Sequence, residues 1–343
     1  MPAGLAPPPG PADQRAEQER SEGSPARAGL RGIVLPALVA VLVGCLFLVV
    51  QLSIVTTATP RDLPVGVVGG AEQVGRVRAE VAAAQPGALR LVELPDAAAA
   101  ERAVRRDDVR GAVVLDGPAP ELLTAGAHGQ GVTETLTQAL TPVVQRAGQQ
   151  LTVTDVVPLT PQDTRGRAID HLAFAVVLGG FLFGITSYQV APRLSLRLRL
   201  ASSALFAAAA GLTGAVVAVL AFDAVPGSAP VVGGLVTLLA LAAGAVAAVC
   251  LRLLGGVGTF VATAVLLILG AATSTGSDPA EYLPAWAAPL AHVLPSGVAV
   301  QGLRDAVYFA GDGVPRAVAV LALWSVLPFA VIALVDAASR RRD

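Results

Sequence analysis

The chain has 343 residues, of which 54% are hydrophobic and 14% charged, against about a quarter charged in ordinary soluble domains. That balance argues against a soluble globular protein and points to the membrane. A net charge of -1 argues against nucleic-acid binding, and all 24 basic residues are Arg, so there is no lysine for an ordinary P-loop ATPase.

Residues 1–29 are rich in Pro, Ala, Gly, Gln, Glu and Arg, with almost no large apolar side chains. Such a segment cannot bury enough surface to offset its chain entropy, so a disordered cytoplasmic tail is expected. Residues 30–57 are expected to form the first transmembrane helix. The charge-free run over 32–56 is long enough to cross a hydrocarbon core of about 30 Å. It is too long for the apolar core of a cleaved signal peptide, about 7–15 residues. An uncleaved anchor with its N-terminus inside is the reading.

Residues 58–168 have a different character. Their apolar residues come in short runs, and the stretch 60–170 carries 11 of the 24 Arg. The expected elements are a strand at 63–68 ended by Gly69-Gly70, a helix at 71–85 with Val74, Val77 and Val81 on one face, and a strand at 89–94. A helix at 97–106 capped by Asp96 follows, then strands at 109–115 and 120–127, a helix at 132–150 and a strand at 151–157. The alternation describes a small α/β domain. Gly69-Gly70 belongs to neither G-x-G-x-x-G nor G-x-x-x-x-G-K-[ST], so it reads as a strand-to-helix turn.

Beyond Asp170 the chain is almost continuously apolar. Spans are expected at 169–190, 200–222, 231–251, 257–275 and 316–336, each of about 17–25 residues. The fold class is therefore an α-helical integral membrane protein with six transmembrane helices, one plus five, and the α/β domain inserted between the first and second. Residues 279–312 are apolar but interrupted by Pro284, Pro289 and Pro295, which suggests broken external helices. Tyr282, Trp286 and Tyr308 there suit a membrane interface.

Orientation follows from Arg in the short segments. Arg15, Arg20, Arg27 and Arg31, then Arg193, Arg197 and Arg199, then Arg252, then the tail 339–343 with Arg340, Arg341 and Arg342 fall on one side; Arg304 and Arg316 fall on the other. The basic side is read as cytoplasmic, with both termini there and the α/β domain outside. Long domains translocate largely regardless of their own charge. The location implied is the plasma membrane of a high-GC bacterium, the Arg, Ala, Gly and Pro content matching GC-rich codons.

Residues 191–199, Ala-Pro-Arg-Leu-Ser-Leu-Arg-Leu-Arg, form a basic elbow between two spans. The alternation of Leu194, Leu196 and Leu198 with Ser195, Arg197 and Arg199 fits a strand; a short interfacial helix with Arg193 and Arg197 one turn apart also fits. Beyond marking topology, Arg193, Leu194, Arg197 and Arg199 are candidates for docking a cytoplasmic subunit.

Catalytic and cofactor chemistry find no pattern. His128, His171 and His292 are far apart in sequence and lack metal-ligand spacing. Asp107-Asp108 beside Arg105-Arg106 reads as a solvated helix end, and no G-x-S-x-G elbow occurs. Cys45 and Cys250 lie in apolar spans and read as small buried hydrophobes. Few acids lie inside the spans, so ion-coupled transport is disfavoured. The expectation is no enzyme, no cofactor and no metal.

Two short stretches carry a resemblance. Pro161-Gln162-Asp163-Thr164-Arg165-Gly166 precedes the second span. Leu294-Pro295-Ser296-Gly297 with Leu303-Arg304-Asp305-Ala306-Val307-Tyr308 precedes the last. With the one-plus-five layout, these resemble the signatures of ABC-2-type exporter permeases of the YhgE/Pip-like branch, whose external domain is usually much longer. The resemblance implies a homo- or heterodimeric permease core in the lipid bilayer, exporting an amphiphile, drug or envelope component. It also implies a separate ATP-binding subunit docked at 191–199, and an external-helix motif carried by Leu294, Pro295, Gly297, Arg304, Asp305 and Tyr308. The alternative is a non-transporting envelope protein whose external domain binds a partner or serves as a phage-receptor-like surface.

Overall fold

The computed structural model describes residues 25–56, 59–117, 119–276 and 278–340. The chain divides into two compact units at Val49–Val50. Helix α1 (Pro25–Val55) opens the description. Residues 25–29, expected to be disordered, are helical, as suits a proline in a first helical turn followed by Ala, Arg and Leu. The disorder expected over 1–24 lies outside the described residues. Val41, Leu42, Leu46, Phe47, Leu48 and Val49 are all exposed on α1. A helix apolar all round has no stable place in water unless it is covered, and lipid covers it without cost.

The second unit contains a five-stranded sheet. Its elements are β1 (Leu63–Val68), α2 (Ala71–Ala84), β2 (Leu89–Glu93), α3 (Ala97–Arg105), β3 (Gly111–Val114), β4 (Glu121–Thr124), α4 (Gln130–Arg146) and β5 (Thr152–Asp155). The strand order is β2-β1-β3-β4-β5. All neighbours are parallel except β3 and β4, which pair antiparallel with Val113 opposite Leu122. Alternation sorts the side chains. Leu63, Val65 and Val67 join Val74, Val77 and Val81 of α2 and Leu136 and Leu140 of α4 on one face. Val68, Ala112 and Val114 join Ala100 and Val104 of α3 on the other. Asp96 caps α3, accepting from Ala99 N at 2.6 Å.

Residues 163–166 form the turn that launches the helical bundle. Gly166 sits at φ +66°, where a side chain would be strained, and Asp163 accepts from the free N–H groups of Arg167 (2.9 Å) and Ala168 (2.8 Å). The bundle comprises α5 (Ala168–Val190), α6 (Leu196–Ala215, loosening into π geometry over Val216–Ala221), α7 (Ala229–Leu254), α8 (Val257–Ala262, continuing as a π segment Thr263–Leu269 and a last turn Gly270–Ala272), the short α9 (Ala288–Ala291), α10 (Pro295–Tyr308) and α11 (Val314–Ser339). Helix α7 is the hub, packing against α5, α6, α8, α10 and α11. Small residues permit this. A methyl added at Gly180 or Gly184 of α5 would lie 2.7 Å from Ala243 Cβ or 2.5 Å from Ala247 Cβ of α7.

Among the described residues, five helical segments are long and apolar enough to cross a membrane: Ala37–Val55, Ala168–Val190, Leu196–Ala221, Ala229–Leu254 and Val314–Ser339; Val257–Ala272 is a shorter apolar helix. Leu205, Leu212, Leu220, Leu323, Val326 and Leu334 point outward from their helices. The chain is a membrane-embedded, mostly α-helical protein. Residues 279–312 contain no crossing-length helix: a 3₁₀ turn (Ala280–Tyr282), α9 and α10 are all short. Cys45 is exposed and Cys250 half-buried, so neither is the fully buried hydrophobe expected; both sit on apolar helices with outward-facing surface.

Candidate functional site

The elbow is neither a strand nor an independent helix. Pro192 cannot continue α5, so a turn over residues 191–194 intervenes and α6 begins at Leu196 with Ser195 O accepting from Arg199 N at 2.9 Å. The helical period, not the period of two, then decides what faces inward. Arg199, Ser203 and Ala207 are buried one turn apart; Arg193, Arg197 and Leu198 are exposed, and Leu194 is half-buried.

Arg199 is 3% exposed. Its Nη1 donates to Ser187 Oγ (2.9 Å) and its Nη2 to Ala191 O (3.0 Å), and its guanidinium lies 3.7 Å from the centre of the Tyr188 ring. It pins the start of α6 to the end of α5. Of the four candidate docking residues, three therefore present some surface and the fourth works inside the fold.

An open groove of about 540 Å³ runs along this end of the bundle, with Arg193, Leu194, Arg199, Arg252, Asp336 and Arg340 among its walls. Arg252, at the end of α7, donates to Asp336 Oδ1 of α11 through Nε (2.9 Å) and Nη2 (2.7 Å). These two residues lie far apart in sequence, and their only signal was a lone charge near each span end. Among the described residues neither Arg193 nor Arg197 makes an ion pair.

At the opposite end of the bundle, the second candidate motif is largely interior. Leu294, Pro295 and Gly297 are buried at the start of α10, and Arg304 is 7% exposed. Arg304 donates to Thr275 O (3.1 Å) and Gly276 O (2.8 Å), holding the chain beyond α8. Asp305 and Tyr308 are half-buried. Burial, reinforced by the nearby Asp107 carboxylate, raises Asp305 to about 6.

The sheet contributes a charged cluster to the same place. His128, from the 3₁₀ turn Gly126–His128, stacks on Phe309 with ring centres 4.7 Å apart. Its Nε2 lies 2.9 Å from Asp107 Oδ1 without the alignment of a full hydrogen bond. Arg110 bridges Asp107 and Glu281. Burial would raise Asp107, but His128 and Arg110 outweigh it and bring the carboxyl to about 2. Burial pushes His128 down, against the pull of Asp107. Arg110 is therefore the full charge partner of Asp107 near neutral pH.

Asp107 is thus no solvated helix end; at φ +66° it turns back from α3 toward Arg110. Sequence spacing could not bring His128 and His292 to the Arg304-Asp305 pair, yet all four line one cavity of about 80 Å³. Tyr282 fastens the apolar loop to α4 by donating to Thr135 Oγ1 at 2.8 Å. A second cavity, of about 280 Å³, lies between α5, α8 and α10.

No protein-family model, no curated protein and no solved structure matches the chain.

Proposed function

We propose that this chain is the membrane-spanning permease subunit of an ABC-type exporter, of the ABC-2 type and YhgE/Pip-like in layout. It has no catalytic activity of its own, and it moves an amphiphile, drug or envelope component. Six segments cross the plasma membrane, α8 with its extension being the fourth of the five in the bundle. Both termini are cytoplasmic and the sheet domain is an extracytoplasmic α/β domain. A separate ATP-binding subunit docks in the groove beside residues 191–199, and two permease subunits pair.

The observation that carries this reading is the groove and the helix start beside it: Arg193 on the groove wall and Arg197 in the first turn of α6 are exposed cations without an ion-pair partner among the described residues, on a hairpin that Arg199 and Tyr188 tie together. Rigid support suits a surface that transmits a partner's motion. The uneven distribution of Arg between short loops supports the orientation.

Neutralising Arg193 and Arg197 together tests it. Export and nucleotide hydrolysis by the assembled complex should uncouple, while membrane insertion and thermal stability stay at wild-type levels. Export unchanged in that variant refutes the docking assignment. Arg199 is left out of the test, because its loss would disturb the hairpin itself.

A further inference from the structure

The cavity of about 280 Å³ between α5, α8 and α10 combines two surfaces. Ala173, Phe174 and Val177 of α5 and Leu266 and Ala271 of α8 make an apolar wall. Asp170, His171, Ser274 and Ser296 gather polar atoms in the same space. Its volume is close to the lower end of small-ligand pockets, about 300–1,000 Å³.

The polar atoms are rich in acceptors. Asp170 Oδ1 accepts from Ser274 Oγ at 2.7 Å, which leaves the rest of the carboxylate for another donor. His171 Nδ1 lies 2.8 Å from Arg167 O; a carbonyl only accepts, so Nδ1 donates there and ties the ring to the first turn of α5. Ser296 is 4% exposed, and its Oγ has no hydrogen-bond partner among the described residues. A buried hydroxyl left without a partner costs stability that a ligand would restore. Leu266 belongs to the π segment of α8, and π segments inside α-helices often mark functional sites.

Among the described residues no arginine lines this cavity. Arg304 feels the Asp170 charge but lines the neighbouring smaller cavity, with its two Nη groups on backbone carbonyls. The cavity therefore carries a carboxylate at its polar end and is apolar along its wall.

We propose that this cavity binds an alkylammonium amphiphile, its ammonium donating to Asp170 and Ser296 Oγ and its alkyl chain lying against Phe174 and Leu266. Calling that ligand the exported substrate rests on the export reading; binding itself belongs to this chain alone and is measured without any ATP-binding partner. The full chain in phosphatidylcholine nanodiscs is photolabelled with dodecylamine bearing a chain-terminal diazirine, and the labelled peptides are mapped by mass spectrometry.

The expected result is labelling concentrated on α5 and α8, competed by dodecylamine and not by dodecanoate or dodecanol. Asp170→Asn should lower labelling about tenfold, since it removes a charge-assisted hydrogen bond. Ala271→Phe, which fills the apolar side, should abolish it while leaving the carboxylate in place. Circular dichroism and size-exclusion profiles identify any variant that fails to fold, and the competition series in the wild-type chain then decides. Equal competition by amine and carboxylate, labelling spread over all lipid-facing helices, or labelling unchanged in the folded variants overturns the proposal.

Discussion

Replacing Arg199 by alanine separates a residue that holds the fold from one that meets a partner. The wild-type guanidinium makes two hydrogen bonds, to Ser187 Oγ and Ala191 O, and stacks on Tyr188. Hydrogen bonds from charged groups contribute about 1.5–3 kcal/mol each, and a desolvated cation–π contact about 2 kcal/mol. Removing Arg199 also removes the cost of burying its charge, which offsets part of that sum. A net loss of about 2–4 kcal/mol remains, and Arg197→Ala, at an exposed position, should stay within about 0.5 kcal/mol. Tryptophan fluorescence during heating of the chain in nanodiscs reads the difference. Arg199→Ala should melt at least about 4 °C lower than wild type and Arg197→Ala at the wild-type temperature. Arg199→Lys keeps the charge but loses the planar fork and should fall between them. Equal melting of Arg199→Ala and Arg197→Ala would refute the assignment of Arg199 as the pin of the α5–α6 hairpin.

Two further outcomes follow from the sheet side of the bundle. Asp163→Ala removes the cap on α5 and should cost about 1 kcal/mol, with faster amide hydrogen exchange in 164–170; Asp163→Asn should restore most of it, and unchanged exchange would contradict the cap. Asp305 has its folded pKa raised from 3.8 to about 6, so its contribution is fully present below about pH 4 and is lost as pH rises through 6. Asp305→Asn should therefore match wild type in melting temperature at pH 4 and exceed it at pH 7.5. His128 acts in the opposite sense, losing stability as pH falls below its ordinary 6.5, but it is common to both proteins and cancels in the comparison. No pH dependence in the difference would mean that Asp305 is not perturbed.

Elements built on local patterns were readable without coordinates. Val74, Val77 and Val81 announce the buried face of α2, and Asp96 announces the start of α3. The long apolar spans announce membrane helices, because lipid demands an uninterrupted apolar stretch of fixed length. The elbow was ambiguous because alternating leucines satisfy a strand pattern, while the deciding interactions of Arg199 reach back to Ser187, Tyr188 and Ala191 on the preceding helix. The cluster of His128, Asp107, Arg110 and Glu281 was out of reach for the same reason. Its members come from three separate loops, and Asp107 looked solvated beside Asp108 and Arg106 until Arg110 and the α10 segment covered it. The motif at 294–308 was legible as a motif, but not as a set of mostly interior side chains that tie α8 to α10.

The central claim, that a separate ATP-binding subunit works on the groove beside residues 191–199, is tested most directly by site-specific photocrosslinking in intact cells. A photoreactive amino acid is placed at position 193 or 197, with exposed Trp286, in the apolar loop before α10, as the control position. The account predicts a crosslinked product from 193 and 197, absent from 286, whose second component contains Walker-A and Walker-B sequences. Crosslinks from 193 and 197 that contain only lipid or no nucleotide-binding protein would contradict it.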